Sequence, residues 1–148
     1  AVLHSACFDG HGRWDARAMR DILSLPTTLA LGIESEEASS GALSGLLLVQ
    51  RVPPDAEILT ICTDPAHRRQ GFAQSLLDHA RTLLGPHGVD RLLLDVDAGN
   101  EGAISFYEHN GFNRDGVRKN YYQHGGGRSS DAVLMSRNLA GQMTKSKA

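Results

Sequence analysis

At residues 63–73 the chain reads Thr-Asp-Pro-Ala-His-Arg-Arg-Gln-Gly-Phe-Ala, and this stretch joins a predicted strand to a predicted helix. The apolar run at 58–62 favours a strand before it, and apolar residues at helical spacing follow it from Phe72 to Leu84. A helix N-terminus presents unpaired N–H groups and the positive end of the helix dipole, so it suits a phosphate. The two arginines add charged donors, and the glycine lets the backbone approach closely. The stretch therefore predicts a turn that holds a phosphorylated cofactor.

A second strand after this helix predicts a βαβ unit. Gly85-Pro86-His87-Gly88 ends the helix, and the strand that follows at 91–97 contains three leucines in a row. Such a run predicts a strand covered on both faces, as in a parallel pair. Strand 56–63, helix 72–84 and strand 91–97 therefore form a crossover that is expected to be right-handed.

Two further helices are predicted before the first strand, and one after the βαβ unit. Apolar spacing favours helices at 1–8 and 15–25, the second with a buried stripe of Ala18, Met19, Ile22, Leu23 and Leu25. Asn100 is a suitable N-cap for a short helix at 101–110, and Gly111 is suited to end it.

The remaining segments complete a single predicted domain over residues 1–139. Alternating and β-branched runs predict further strands at 27–33, 43–52, 114–122 and 131–138. A polar loop is expected at 34–41, and the glycine-rich loop 123–130 predicts either a mobile flap or a long hairpin turn. The tail 140–148 is polar and basic, and is expected to be flexible.

Composition narrows the class of protein. The 148 residues, 41% of them hydrophobic, suit one globular domain, and a net charge of −2 gives no reason to expect nucleic acid or an anionic membrane as a partner. No apolar run approaches the ~20 residues of a membrane span. The two cysteines favour reduced thiols and a cytoplasmic location, with Cys62 as a small core residue. The seven histidines lack metal-ligand spacing, so no metal is expected. The nucleotide-binding patterns G-x-x-x-x-G-K-[ST] and G-x-G-x-x-G are absent, as is the G-x-S-x-G elbow of α/β-hydrolases.

Taken together, these motifs resemble the GNAT acetyltransferase superfamily. Residues 68–73 (Arg-Arg-Gln-Gly-Phe-Ala) fit the family's Q/R-x-x-G-x-G/A pattern for acetyl-CoA pyrophosphate, and Asn100 and the run Phe106–Phe112 follow in the family's order. The resemblance covers about Ile58 to Leu139, and within the superfamily it is strongest to the ribosomal-protein-alanine N-acetyltransferases. It implies a three-layer α/β (α+β) fold, with a mixed, mostly antiparallel sheet, a central splayed parallel strand pair and flanking helices. The family's usual strand before the first helix has no recognisable counterpart, which leaves the first sheet edge open to question.

The resemblance also implies the site for the co-substrate, acetyl-CoA. Its pantetheine arm would pair with the backbone of the strand at 61–63, and its diphosphate would sit on the N–H groups that begin the following helix. The implied acetyl-CoA-binding residues are Ile61, Cys62, Thr63, Arg68, Arg69, Gln70, Gly71, Phe72, Ala73, Gln74, Asn100 and Tyr107.

Acetyl transfer to an amine needs a proton for the departing thiolate and a base for the amine. Tyr107 is the candidate general acid, because a phenol with a pKa near 10 can protonate a thiolate with a pKa near 8.5. Asp95 and Glu57 are alternative candidate bases, since Asp95 interrupts an apolar strand and Glu57 begins the preceding one. Either carboxylate could also be an ordinary strand-end charge facing water. A water relay that uses both stays open.

The acceptor implied by the resemblance is the N-terminal α-amine of a protein, a ribosomal protein that begins with alanine. Near pH 7.5 roughly a third of such amines are neutral, against about 0.1% of lysine side chains. Alternatives are a GNAT enzyme for a small-molecule amine or a protein lysine, and a non-catalytic acetyl-CoA-binding module. Acceptor selection is expected at the first-helix loop near Trp14, the loop 34–41, and Tyr121 and Tyr122 with the glycines at 125–127. At most one of the two tyrosines should line the slot, because neighbours on a strand point to opposite faces.

Overall fold

The structure is a computed structural model that describes residues 16–34, 43–63 and 71–139. The helices are α1 (Ala16–Leu23), α2 (Phe72–Leu84) and α3 (Glu101–His109), and a 3-10 turn covers Gly85–His87. The strands are β1 (Thr28–Glu34), β2 (Leu43–Val52), β3 (Asp55–Thr63), β4 (Arg91–Asp97), β5 (Asn113–His124) and β6 (Arg128–Asn138). The predicted helix at 1–8, most of the loop at 34–41 and the tail at 140–148 lie outside the described residues. None of the described helices has the length and apolarity to cross a membrane.

Six strands form one mixed sheet in the order β1-β2-β3-β4-β6-β5, with the parallel pair β3–β4 near its centre. Helices α2 and α3 pack on one face through a cluster that includes Leu77, Leu84 and Ile104. Met19 of α1 packs on the other face against Leu46 and Leu48. The predicted three-layer GNAT-type fold, mostly antiparallel with a central parallel pair, is therefore confirmed.

A β-bulge in β3 separates the two central strands. Leu48 of β2 pairs with Thr60, whereas the next residue, Val49, pairs with Ile58, so β3 carries one extra residue at Leu59. A bulge bends and twists its strand locally. Consistent with this, β3 and β4 pair over three positions only among the described residues, from Asp55↔Arg91 to Glu57↔Leu93. The parallel strands splay apart just where the bulge begins.

The bulge also divides the buried side chains of β3 between the two faces of the sheet. Ile58 and Cys62 are both buried and lie four residues apart, a spacing that would put them on one face of a regular strand. Instead Ile58 belongs to the cluster under α2 and α3, and Cys62 to the cluster under α1. One inserted residue thus places these two side chains on opposite faces of the sheet, and the expected core position of Cys62 is confirmed.

Two predicted burial patterns are wrong. In α1, Met19 is buried and Ile22 half-buried, but Ala18, Leu23 and Leu25 of the predicted stripe are exposed. In β4, one face is buried, whereas Leu93 on the other face is only half-buried. Polar side chains, Asp95 and Asp97, share that second face with Leu93.

The glycine-rich loop forms a tight turn and not a flap. Strands β5 and β6 pair as far as His124↔Arg128, so the predicted loop 123–130 shrinks to the three residues Gly125–Gly127. Gly126 and Gly127 have φ of 70° and 76°, a backbone region that glycine enters without strain. The hairpin alternative is therefore the one that the structure supports.

A polar network ties α2 to the end of α3. Gln74 Nε2 of α2 donates to Asn110 Oδ1 at 2.6 Å, and Asn110 caps the C-terminus of α3. The buried Arg137 of β6 donates through Nη1 to the Asn110 carbonyl oxygen. Burial, together with the nearby positive charge of Arg81, lowers the pKa of Arg137. The network fixes the end of α3 against both α2 and β6.

Gly111, directly after this cap, should tolerate no side chain. Its φ is +85°, and a Cβ atom there would lie 3.1 Å from Arg137 Nη1. We expect Gly111→Ala to lower the free energy of unfolding by about 2 kcal/mol, from backbone strain and displacement of a buried guanidinium. Urea unfolding measures this change. Gly102→Ala is the matched control, because Gly102 lies in α3 with nothing within 4 Å of its added Cβ, and should stabilise by about 0.5–1 kcal/mol. Equal stabilities for the two variants would contradict the expectation.

Candidate active site

The opening between β3 and β4 is the centre of the candidate site. It begins above the last parallel pair, Glu57↔Leu93, and extends toward Thr63 on one strand and Asp97 on the other. On its far edge β3 pairs with β2 as far as Gly45↔Thr63. Residues 61–63, predicted to pair with an extended ligand, therefore line the splayed part of β3.

Helix α2 begins at the mouth of this opening. Gly71 is its N-cap with φ 78° and ψ 10°, and no described atom lies within 4 Å of the place where a Cβ would be. The first helical bond at this end runs from Ser75 N–H to the Gly71 carbonyl oxygen at 3.0 Å. The N–H groups of Phe72, Ala73 and Gln74 therefore belong to the first turn, as the predicted diphosphate site requires. The predicted ligands Arg68, Arg69 and Gln70 lie outside the described residues.

The two candidate bases lie on one face of the opening. Glu57 alternates with the buried Ala56 and Ile58, and Asp95 alternates with the buried Leu94 and Val96, so both carboxylates face away from α2 and α3. Burial raises the pKa of Glu57, and the negative charge of Asp95 raises it further, while Arg118 opposes the rise. The structure thus brings Glu57 and Asp95 within electrostatic reach of each other.

Arg118 of β5 is the cation of this group. Its Nη1 lies 3.9 Å from Asp95 Oδ2, a long ion pair with the Asp95 side chain 22% exposed. Arg118 also lies over the ring of Tyr121, with 5.4 Å from Cζ to the ring centroid. Its role was not predicted, because only the pairing of β5 with β6, and of β6 with β4, brings the Arg118 side chain within reach of Asp95.

Tyr107 approaches from the opposite face. It is buried in the cluster formed with α2, and its ring makes edge-to-face contacts at 5.5 Å with Phe106 and Phe112. Burial raises the pKa of Tyr107, and the neighbouring Tyr122 raises it further, so the phenol stays protonated at neutral pH. The carboxylates and the phenol therefore lie on opposite faces of the sheet.

Asn100 is the N-cap of α3, as predicted. Its side-chain oxygen accepts from the N–H of Ala103 at 3.1 Å. This bond orients the side chain at the start of the helix that carries Tyr107. Its predicted contact with acetyl-CoA stays a prediction.

The adjacent tyrosines do not point to opposite faces, so that expectation is wrong. Their rings meet edge to face, 5.1 Å between centroids, which a regular strand does not allow for neighbours. The pairing of β5 with β6 shifts between Arg118 and Tyr122, and Asn120 there has φ 54°. Asp131 holds this bulge, because its Oδ1 accepts from the Asn120 N–H at 2.9 Å.

Tyr122, like Arg118, is a residue of the site whose role could not be predicted from the sequence. It is half-buried, and burial raises its pKa to about 12, with Asp95, Tyr121 and Asp97 contributing in that order. It is therefore close to the candidate base Asp95 and also affects Tyr107. In the described part of the chain, no group of three or more His, Cys, Asp or Glu side chains is placed to hold a metal ion.

The fold has three layers, and its sheet opens at the parallel pair with a helix N-terminus at the mouth of the opening. This arrangement defines the protein as one with an acetyltransferase-type α/β fold. The model of the family described as "Acetyltransferase (GNAT) family" matches residues 2–112. The chain therefore belongs to the acetyltransferase (GNAT) family.

Known relatives agree with this assignment. The chain is 38% identical over 97 residues to the [Ribosomal protein bS18]-alanine N-acetyltransferase of Escherichia coli K12, and this match spans 66% of the chain and 65% of that protein. It is 32% identical to N-alpha-acetyltransferase RimI of Mycobacterium tuberculosis, over 93% of the chain and 83% of the relative. The crystal structure of the ribosomal-protein-S18-alanine N-acetyltransferase from Escherichia coli superposes with a TM-score of 0.81 at 28% identity, covering 93% of this chain and 84% of that one.

Proposed function

We propose that the protein transfers the acetyl group of acetyl-CoA to the N-terminal α-amine of a protein, a ribosomal protein that begins with alanine. The observation that carries the proposal is the opening between β3 and β4, with carboxylates on one face and a buried phenol on the other. Relatives at 32–38% identity, an N-alpha-acetyltransferase and a ribosomal-protein-alanine N-acetyltransferase, suggest the acceptor class. Such an acceptor places the reaction in the cytoplasm.

The described residues suit acetyl-CoA as co-substrate. No atom of the described residues lies within 4 Å of a Cβ placed on Gly71 at the α2 N-terminus, where helix N–H groups and the dipole favour a diphosphate. The splayed edge of β3 at residues 61–63 offers backbone groups to the amide-bearing pantetheine arm, as to an added strand. Arg68, Arg69 and Gln70 would add charge to the same turn, and Asn100 would help hold the arm near Tyr107.

The reaction is a direct attack in a ternary complex. The neutral amine nitrogen bonds to the thioester carbonyl carbon, and the carbon–sulfur bond breaks as the intermediate collapses. The amine proton passes to Asp95 or Glu57, directly or through a water, and Tyr107 gives its proton to the departing thiolate. The products are the N-acetylated chain and the CoA thiol, and the balance is complete when the carboxyl group releases the proton that it took and Tyr107 regains one.

The paired carboxylates suit an acceptor that is already partly neutral. Glu57 has a raised pKa and is therefore a better base near neutral pH than an ordinary carboxylate. Roughly a third of α-amines are neutral near pH 7.5, whereas lysine would have to be deprotonated almost entirely by the enzyme. Tyr121 and Tyr122, brought together by the bulge in β5, supply an aromatic wall for the first residues of the acceptor.

A panel of acceptors tests the function. Release of CoA thiol is measured with an N-terminal alanine peptide, an α-blocked peptide that contains lysine, and a small polyamine. We expect turnover with the first and at most about 1% of that rate with the second, as the neutral fractions imply. Preference for either of the other two would identify a different acceptor class. Tight binding of acetyl-CoA without any turnover would point to the non-catalytic module.

A further inference from the structure

Three polar side chains beside the β5–β6 turn form a hydrogen-bond chain that the proposed reaction does not use. Ser130 Oγ donates to Asp97 Oδ2 at 2.8 Å and lies 2.6 Å from His124 Nε2. Because the hydroxyl hydrogen points to the carboxylate, His124 Nε2–H is the donor of the second bond. Asp97 Oδ1 also accepts from the Gly99 N–H at 2.8 Å. We call the set Asp97, Ser130 and His124 the Asp97 clasp.

The residue types match a nucleophilic triad, but the geometry does not. In such a triad the carboxylate binds the imidazole nitrogen that faces away from the hydroxyl. Here Asp97 Oδ2 lies 3.4 Å from Nε2, the same nitrogen that bonds to Ser130. The serine hydrogen is held by the carboxylate and is not given to the imidazole. The clasp is therefore a bridge and not a catalytic unit.

The clasp joins three strands beyond the interruption in the pairing of β5 with β6. Asp97 ends β4, His124 ends β5, and Ser130 lies near the start of β6. Regular pairing of β5 with β6 is interrupted between Arg118 and Tyr122 and resumes at Tyr122↔Ser130. Hydrogen bonds to an ionised acceptor are stronger than neutral ones, and the Asp97 side chain is only 29% exposed. The clasp thus secures the hairpin beyond its bulge.

Tyr122 links the clasp to the acceptor end of the opening. It pairs in register with Ser130 and lies two residues before His124. Its phenol is close enough to Asp95 and Asp97 for both charges to raise its pKa. A shift of the hairpin relative to β4 would therefore move this ring relative to Asp95. At the start of α2, on the acetyl-CoA side of the opening, Gln74 instead donates to Asp78 and to Asn110.

We propose that Asp97, Ser130 and His124 are positioning residues for the acceptor. They hold the β5–β6 hairpin on β4, and so fix Tyr122 where the acceptor amine meets Asp95. The proposal rests on the proposed function, since it assigns the acceptor end of that same site. It makes acceptor affinity depend on the clasp while acetyl-CoA affinity does not.

Steady-state kinetics of the full chain test this separation. We expect Ser130→Ala to raise the KM for an N-terminal alanine peptide about tenfold, because one charge-assisted bond and its partner are lost. The kcat and the Kd for acetyl-CoA should change less than twofold. Ser130→Thr keeps the hydroxyl and should restore the KM. His124→Gln alters the second bond of the clasp, the one between His124 and Ser130. Its matched control is His79→Gln, on the exposed side of α2, which should have no effect.

Hydrogen exchange gives a readout that needs no turnover. In Ser130→Ala, amides of residues 121–131 should lose protection about tenfold, while those of α2 keep theirs. Lost protection with an unchanged acceptor KM would overturn the acceptor role, and unchanged protection would overturn the clasp itself. If the wild-type protein acetylated no N-terminal peptide, the proposed function would fail. The exchange result would still decide whether the clasp holds the hairpin.

Discussion

Replacing Tyr107 with phenylalanine should lower kcat about a hundredfold or more, because the departing thiolate would lose its proton donor. The substitution keeps the ring, so the edge-to-face contacts with Phe106 and Phe112 at 5.5 Å survive. Stability and acetyl-CoA affinity should therefore change little. Single-turnover rates of acetyl transfer, measured at saturating acetyl-CoA, report the loss directly.

The raised pKa of Tyr107 adds a pH test to the same experiment. A proton donor works only below its pKa, so a raised pKa extends activity toward alkaline pH. The wild-type kcat should not fall between pH 7 and about 9.5. Ser105→Ala removes a hydroxyl from the exposed side of the same helix and serves as the matched control. A Tyr107→Phe enzyme with near-wild-type kcat would remove the general-acid role.

The second large effect should come from the paired carboxylates. We expect Asp95→Asn and Glu57→Gln each to lower kcat/KM about a hundredfold, the lower end of the range of general-base contributions. The two variants should differ in pH dependence. A base works only when deprotonated, so activity falls as the pH drops below its pKa. Asp95 is one cause of the raised pKa of Glu57, so Asp95→Asn should lower that pKa and move the acid limb to lower pH.

The pH profiles also assign the base. Loss of the acid limb in Glu57→Gln, with a shifted limb in Asp95→Asn, identifies Glu57; loss of the limb in Asp95→Asn identifies Asp95. Asp115→Asn, an exposed carboxylate on β5, controls for the change in net charge. Profiles of both variants that coincide with the wild type would mean that neither carboxylate takes the amine proton.

The sequence predicted the regular elements well, because their signals are local. The bounds of β2, α2 and β4 agree with the prediction residue for residue, since apolar periodicity and the Gly and Pro stops lie within each segment. The N-cap role of Asn100 could likewise be predicted from its neighbours.

What escaped prediction depends on partners distant in the chain. The extra residue at Leu59 is visible only against the pairing with β2. The contact between Tyr121 and Tyr122 follows from a bulge that Asp131 of the next strand holds. Asp97 and Ser130 lie 33 residues apart, so their hydrogen bond has no local signal. Candidate site residues could thus be named from motifs, whereas the groups that orient them could not.

Because of the extra residue, the number of residues in β3 also matters for function. Loops usually accept insertions and deletions, but removal of Leu59 would abolish the bulge and leave Ile58 and Cys62 three residues apart, still on opposite faces of a regular strand. Both side chains would keep their clusters, whereas the two parallel strands would be free to pair along their length. A protein that lacked only this residue would have a sheet closed between β3 and β4, with no room there for a substrate. Homologues should therefore vary in the identity of residues along this strand far more freely than in their number.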